Sequence, residues 1–159
     1  MKKIPLTQNK FAIVDDEDYE FLSQWKWYYK NGYAIRAINC GKINNKIKIK
    51  TIMMHRVILK TSKEKHTDHI NWDGLDNRKC NLRECTHSEN HMNIRKKEGC
   101  TSKYIGVYWH KLGKKWISFI RVKGKKKYLG LFKLEKQAAE AYNIAALKYG
   151  TGFHTLNEI

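Results

Sequence analysis

The chain has 159 residues, 42% of them hydrophobic, and carries 32 Lys and Arg against 15 Asp and Glu, a formal net charge of +17. That length fits one domain or two small ones and excludes a large multidomain enzyme, while the apolar content excludes a wholly disordered basic chain. A charge this large calls for a polyanionic partner, nucleic acid or an anionic membrane surface. No apolar run reaches transmembrane length, and "MKKIPLTQNK" lacks the apolar stretch of a signal peptide, so a cytosolic protein is expected. Cys40, Cys80, Cys85 and Cys100 form no CxxC pair and read as reduced thiols. The charge is spread along the chain. Residues 1–98 hold 20 basic and 12 acidic side chains, +8, and residues 99–159 hold 12 and 3, +9.

In chain order, "KFAIVDDEDYEFLSQWKWYYKNGYAIRAI" reads as strand, acidic helix start, short helix and strand, with a turn at Asn31-Gly32. The aromatic, basic "WKWYYKNGY" suits a core edge better than a DNA-facing ribbon. "KIKIKTIMMHRVIL" alternates Lys and Ile and then becomes continuously apolar, which predicts a strand with one solvated face passing into a helix near His55. A further strand is expected at Asp68–Ile70. Residues 71–81 carry turn chemistry in Asn71, Asp73-Gly74, Asp76-Asn77 and Asn81. Thr86 and Glu89 have capping-box spacing, so a helix should start near His87 and run toward Lys97. "RKKEGCTSK" lacks apolar periodicity, and the domain boundary is placed there, at 98/99. Three strands follow, "YIGVYW", "KWISFIRV" and "KKYLGLF", separated by the basic turns "HKLGK" and "KGK". "LEKQAAEAYNIAALKYG" then reads as a helix with Ala138, Ala141, Tyr142, Ala145 and Tyr149 on one stripe and Gly150 as C-cap. The fold class expected is α+β.

The polar stretch "TDHINWDGLDNRKCNLRECTHSEN" (residues 67–90) holds the chemistry. A loop that folds back could bring Asn90 toward Asp68, pairing an anionic with a neutral oxygen ligand. Such a pair suits a hard divalent ion with open sites for phosphate and water. His69, turned to the other side of the strand, has an ordinary pKa suited to taking a proton from water.

Together with "MHRVIL" before it, this stretch resembles the His-Asn-His nuclease motif of phage and intron-encoded homing endonucleases, over residues 54–93. The resemblance implies a two-stranded ribbon, loop and helix around one divalent ion, within a nuclease domain of residues 1–98. It implies that Asp68 and Asn90 bind the metal, that His69 is the general base, and that Asn81 orients His69 and shapes the loop. The implied cofactor is Mg²⁺, with Mn²⁺ as the alternative. Asn at position 90, where many relatives carry His, argues against a softer transition metal. Asn71 and Asn77 read as turn formers. His87 and His91 share a helical face and, with Cys80 and Cys85, raise a zinc site whose cysteine spacing is irregular. His91 could instead contact phosphate. His55 either packs under the motif or touches DNA.

Residues 102–157 resemble the DNA-binding domain of plant ethylene-response factors, the Apetala-two type. The markers are Tyr104, Gly106-Val107, Trp116, Ile120-Arg121, Tyr128-Leu129-Gly130, Phe132, Ala138-Ala139, Ala141-Tyr142 and Leu156-Asn157. That family lays a three-stranded antiparallel sheet, backed by one helix, in the DNA major groove; here the implied domain is 99–159. Strand alternation puts Trp116, Ser118, Ile120 and Val122 toward the helix, and Lys115, Ile117, Phe119 and Arg121 on the other face. By family position Tyr108, His110, Arg121, Lys126 and Tyr128 would meet DNA, with Lys115 on the same face. Ile105, Tyr108 and His110 replace base-reading arginines, so the plant target sequence does not carry over.

The expectation is a site-specific homing-type endonuclease acting on double-stranded DNA, as a monomer or weak dimer, encoded by a phage or mobile element. One motif per chain cuts one strand at a time, so double cutting needs a dimer or sequential nicks. The alternatives are a DNA-binding regulator with a relic nuclease motif and, resting only on charge and aromatics, an RNA-binding accessory protein.

Overall fold

A computed structural model describes every residue except 44–45, 97–98, 123 and 151. Among the described residues the architecture is α+β: small antiparallel sheets and four α-helices. The chain divides into two compact units, Met1–Cys85 and Thr86–Ile159. The boundary expected at 98/99 falls beside residues 97–98, outside the described residues. Residues 86–96, which precede it, belong to the second unit. There Lys96 Nζ donates to Tyr104 O at 2.8 Å, and the Thr155 hydroxyl to Asn93 Oδ1 at 3.2 Å. Among the described residues, no helix is long and apolar enough to cross a membrane.

In the first unit β1 (Lys2–Pro5) pairs with β2 (Phe11–Val14), and the acidic start of the next segment becomes α1 (Asp16–Ser23). β3 (Tyr28–Lys30) turns into β4 (Tyr33–Ile43) through Asn31 and Gly32, at φ +50° and +87°. Positive φ at both central residues is the hairpin turn that Asn-Gly favours. β4 pairs in turn with β5 (Lys46–Met53), which runs directly into α2 (Met54–Leu59). Ile4, Ala12, Val14, Leu22, Trp27, Ala34, Met54, Ile58 and Leu82 form the core. Trp27 belongs to it and donates its indole N–H to Leu22 O at 2.8 Å, so the core-edge reading holds there, while Tyr28 is exposed. The expectation of one solvated face on β5 needs correction: Lys46 to Thr51 are all exposed. The ribbon runs past the core, so its outer residues have nothing to pack on.

β6 (His66–His69) and β7 (Leu82–Cys85) form a separate two-stranded ribbon, joined by a loop that ends in a 3₁₀ turn, Lys79–Asn81.

The second unit opens with α3 (His87–Asn90). Its capping box is as expected: Thr86 Oγ1 accepts from Glu89 N at 3.2 Å, and Glu89 Oε2 accepts from Thr86 N at 2.8 Å. The helix is shorter than expected. It ends at Asn90, and Lys97 lies outside the described residues. Beyond Asn90, no apolar stripe repays continuing it.

β8 (Val107–His110), β9 (Lys115–Val122) and β10 (Lys125–Phe132) form a sheet in the order β10-β9-β8, backed by α4 (Glu135–Tyr149). Lys123 of the expected "KGK" turn is outside the described residues. β8 starts later than expected because the chain bends at Gly106, φ +74°, where a side chain would collide with the Tyr142 ring and Phe119 O. α4 buries Ala138, Ala139, Tyr142, Ala145 and Ala146, with Gly150 as its C-cap. Small side chains on this stripe let the helix lie close against the sheet.

Candidate functional site

Asp68 and His69 end β6, and both are about 6% exposed. Antiparallel register sets Asp68 opposite Arg83, and His69 opposite Leu82. The guanidinium closes on the carboxylate: Arg83 Nε donates to Asp68 Oδ2 at 2.8 Å, and its terminal nitrogen lies 2.8 Å from the same oxygen. A buried carboxylate is stable only with such a partner.

His69 sits in a ring cluster. The His55 ring, from α2, lies 5.0 Å from it in an edge-on arrangement. Tyr33, at the start of β4, lies 5.8 Å from His69 and 5.6 Å from His55. Burial lowers the pKa of His69 below its ordinary 6.5. Interaction with Asn77 and the charges of Asp68, Asp73 and Asp76 oppose that shift without cancelling it. The ring is therefore neutral at pH 7, the form that accepts a proton. His55 is pushed further, down to about 3, by burial first, then by His69 and Arg56. Its Nδ1 is buried and has no hydrogen-bond partner among the described residues. Of its two sequence readings, the structure gives packing: His55 is a neutral ring beneath His69.

The loop after His69 is held by amides. Asn81 Nδ2 donates to Asn71 Oδ1 at 2.9 Å and to Asp76 O at 2.8 Å, and Asn81 Oδ1 accepts from Asn71 N at 3.0 Å. Arg78 grips Asp76 with Nε on Oδ1 at 2.8 Å and a terminal nitrogen on Oδ2 at 2.6 Å, holding that carboxyl below its ordinary range. Ile13 N donates to Leu75 O and Asn77 N to Ile13 O, each at 2.8 Å, so the loop is docked on β2. Asn81 thus shapes the loop. Asn77, wholly buried and read from sequence as a turn former, interacts with the His69 ring. Trp72, three residues after His69, has φ +62°, uncommon for a bulky side chain, and is 44% exposed; its backbone N–H donates to His69 O at 3.1 Å.

Asn90 belongs to the second unit, as do His87 and His91, whose Nε2 atoms lie 3.1 Å apart; Cys80 and Cys85 belong to the first. Among the described residues, no group of three His, Cys, Asp or Glu side chains gathers as a metal site.

On the second unit's sheet, register brings all six sequence-named contacts to one face. Tyr108 pairs with Ile117, His110 with Lys115, Lys126 with Arg121, and Tyr128 with Phe119. All of these lie on the side away from α4. Lys126 Nζ stands 3.8 Å over the Phe119 ring, and Phe119 lies 5.6 Å from Tyr128. His110 Nδ1 accepts from Gly113 N at 3.1 Å, which ties that ring to its own turn. Tyr108, Phe119, Arg121 and Lys126 share a cavity of about 640 Å³ with His87, His91 and Met92. Sequence reading missed this role for residues 87–92, because no local pattern marks a segment that turns back on a sheet.

A scan against protein-family models, a search of curated proteins and a search of solved structures each returned no match.

Proposed function

We propose that the protein is a metal-dependent DNA endonuclease in which His69 is the general base and the basic face of the β8–β10 sheet holds duplex DNA. The observation that carries this reading is the state of His69: a buried ring, held neutral, adjacent in the chain to a buried carboxylate. A surface Asp-His turn has no reason to be enclosed by Tyr33, His55 and Asn77. The finer reading of the fold, a ribbon, loop and helix around one divalent ion, belongs to this proposal.

The donor chemistry fits a hard cation. A carboxylate and an amide oxygen are hard donors, and Asp68 supplies the charged one. Asp68 and the Asn90 amide oxygen would hold the ion, Asn90 entering by its motif spacing alone. When bound, Mg²⁺ or Mn²⁺ would stabilise charge on the phosphate and on the departing 3′-oxygen. His69 takes the proton of the attacking water. Tyr33, His55 and Asn77 keep its ring in place and limit water around it. Arg121 and Lys126 hold the strand by its phosphates and base edges.

The observation favouring the alternative, a DNA-binding regulator that does not cut, is the Arg83–Asp68 ion pair, which occupies part of the carboxylate a metal would use. Incubating supercoiled plasmid with the full chain and Mg²⁺ or Mn²⁺ separates the two. Nicked or linear product with 5′-phosphate and 3′-hydroxyl ends, abolished by a chelator, is expected. DNA binding without cleavage in either metal would leave the regulator.

A further inference from the structure

Beyond Tyr33 at its base, the β4–β5 ribbon has no part in the reading above. Residues of one strand alternate between faces, and paired residues share a face. Tyr33, Ile35 and Ala37 therefore lie on one face of β4, with Met53, Thr51 and Ile49 on the same face of β5. Ile47, two residues before Ile49, extends that face. Its β5 side is exposed, Ile49 at 62%, Ile47 at 57% and Met53 at 37%, while Ile35 on β4 is half-buried. Lys46, Lys48 and Lys50 stand on the opposite face, also exposed, and β5 is the edge strand of its sheet.

Two exposed isoleucines alternating with three lysines on a free edge are a costly surface unless something covers them. The lysines oppose pairing with a second copy, since like charges would meet along the edge. They favour a polyanion, and the chain's net charge of +17 favours the same partner. The major groove of duplex DNA admits a two-stranded ribbon; isoleucine there meets thymine methyl groups, while long lysine side chains reach the phosphate walls. The face also has a direction. Its inner end is Tyr33, whose ring lies 5.8 Å from His69.

We infer that the β4–β5 ribbon is a DNA-groove arm, with Ile47 and Ile49 toward the bases and Lys46, Lys48 and Lys50 on the phosphates, aligning duplex with the His69 site. The alignment rests on the proposed nuclease reading; the DNA contact does not.

The test reads binding, not cutting. The full chain is titrated in EDTA against a fluorescein-labelled 30-base-pair duplex over a range of salt. Replacing Lys46, Lys48 and Lys50 together by Ala should make the log K against log salt slope shallower by about 2.7, roughly 0.9 per lost phosphate contact. The double variant Ile47→Thr, Ile49→Thr keeps charge and strand propensity. It should weaken binding by at least about fourfold per isoleucine, the cost of one buried carbon, since threonine lacks the terminal methyl and carries a hydroxyl in place of the methylene, with the slope unchanged. Urea midpoints equal to wild type would show both variants folded, since these residues lie outside the core. Unchanged affinity and slope in both variants would overturn the inference. So would tighter binding to phosphatidylserine vesicles than to duplex, or a dimer that dissociates in the isoleucine variant. A wild type that loses duplex affinity in these variants yet never cleaves would sink the nuclease reading and leave the ribbon contact standing.

Discussion

Lowering the pH from 7.5 to 5 should destabilise the first unit through His55. In the unfolded chain this histidine titrates near 6.5; in the fold, burial brings it down to about 3. A depressed histidine binds fewer protons folded than unfolded, so stability falls as pH drops through the unfolded value. The loss continues until the folded value is reached. At pH 5 the folded ring is still neutral, so the penalty depends only on the unfolded pKa: 1.5 pH units at 1.36 kcal/mol each, about 2 kcal/mol. The figure holds for any folded pKa well below 5. The assay is urea unfolding of wild type and His55→Leu at pH 7.5 and pH 5. Leucine costs stability at both values because it loses the ring contact with His69, but it removes the titration. Wild type should therefore lose about 2 kcal/mol more than the variant between the two conditions. Equal losses would refute the argument, as would a ring-proton NMR titration of His55 with a midpoint near 6.5.

Four further outcomes are expected. His69→Ala should lower cleavage by roughly 10²–10⁴, the usual contribution of a general base, with DNA affinity unchanged in EDTA; cleavage within about threefold of wild type would remove the assignment. Since burial lowers the His69 pKa, the base stays unprotonated below pH 6.5, and the acid limb of kcat/KM should fall below that value. Asp68→Asn and Asn90→Ala should each raise the Mg²⁺ concentration needed for half-maximal cleavage and lower the maximal rate, read from metal titrations at fixed DNA. Lys126→Ala should weaken binding to all duplexes alike and flatten the salt slope by about one unit, while Arg121→Ala should relax preference at one base position by about 1–3 kcal/mol in competition binding.

The second unit was the more legible in sequence because its signals are local. Alternation in "KWISFIRV" put Trp116, Ser118, Ile120 and Val122 on the helix side, and the structure buries Ser118 and Ile120 there. The Ala-rich stripe of α4 was legible in outline; the margin between Ala141, half-buried, and Ala139, buried, is set by where the sheet lies. β1 was not legible. "KKIP" carries one core residue, Ile4, and owes its strand to the partner β2. "KIKIK" misled for a related reason. Alternation says which residues share a face, but it does not say whether anything lies against either one.

At the candidate site, the residues with a fixed chemical signature were legible and their environment was not. Asp68, His69 and Asn81 stand out by type and spacing. Arg83, Tyr33, His55 and Asn77 gain their roles from long-range pairing. Arg83 reaches Asp68 because β6 and β7 pair in one register, and a slip of one residue would turn it to the other side of the ribbon. Tyr33 meets His69 from another sheet, and His55 from the helix that follows β5. Asn77 is placed by backbone bonds to Ile13, a residue of the first hairpin. The pKa of His69 is therefore a property of the whole first unit. Burial that depends on β2, β4 and α2 keeps the ring neutral, and the same burial makes Asp68 need Arg83. A site assembled this way holds a neutral base beside a paired acid only while all three elements are packed. That is why His55, brought to His69 by α2, is a residue through which acid should unsettle it.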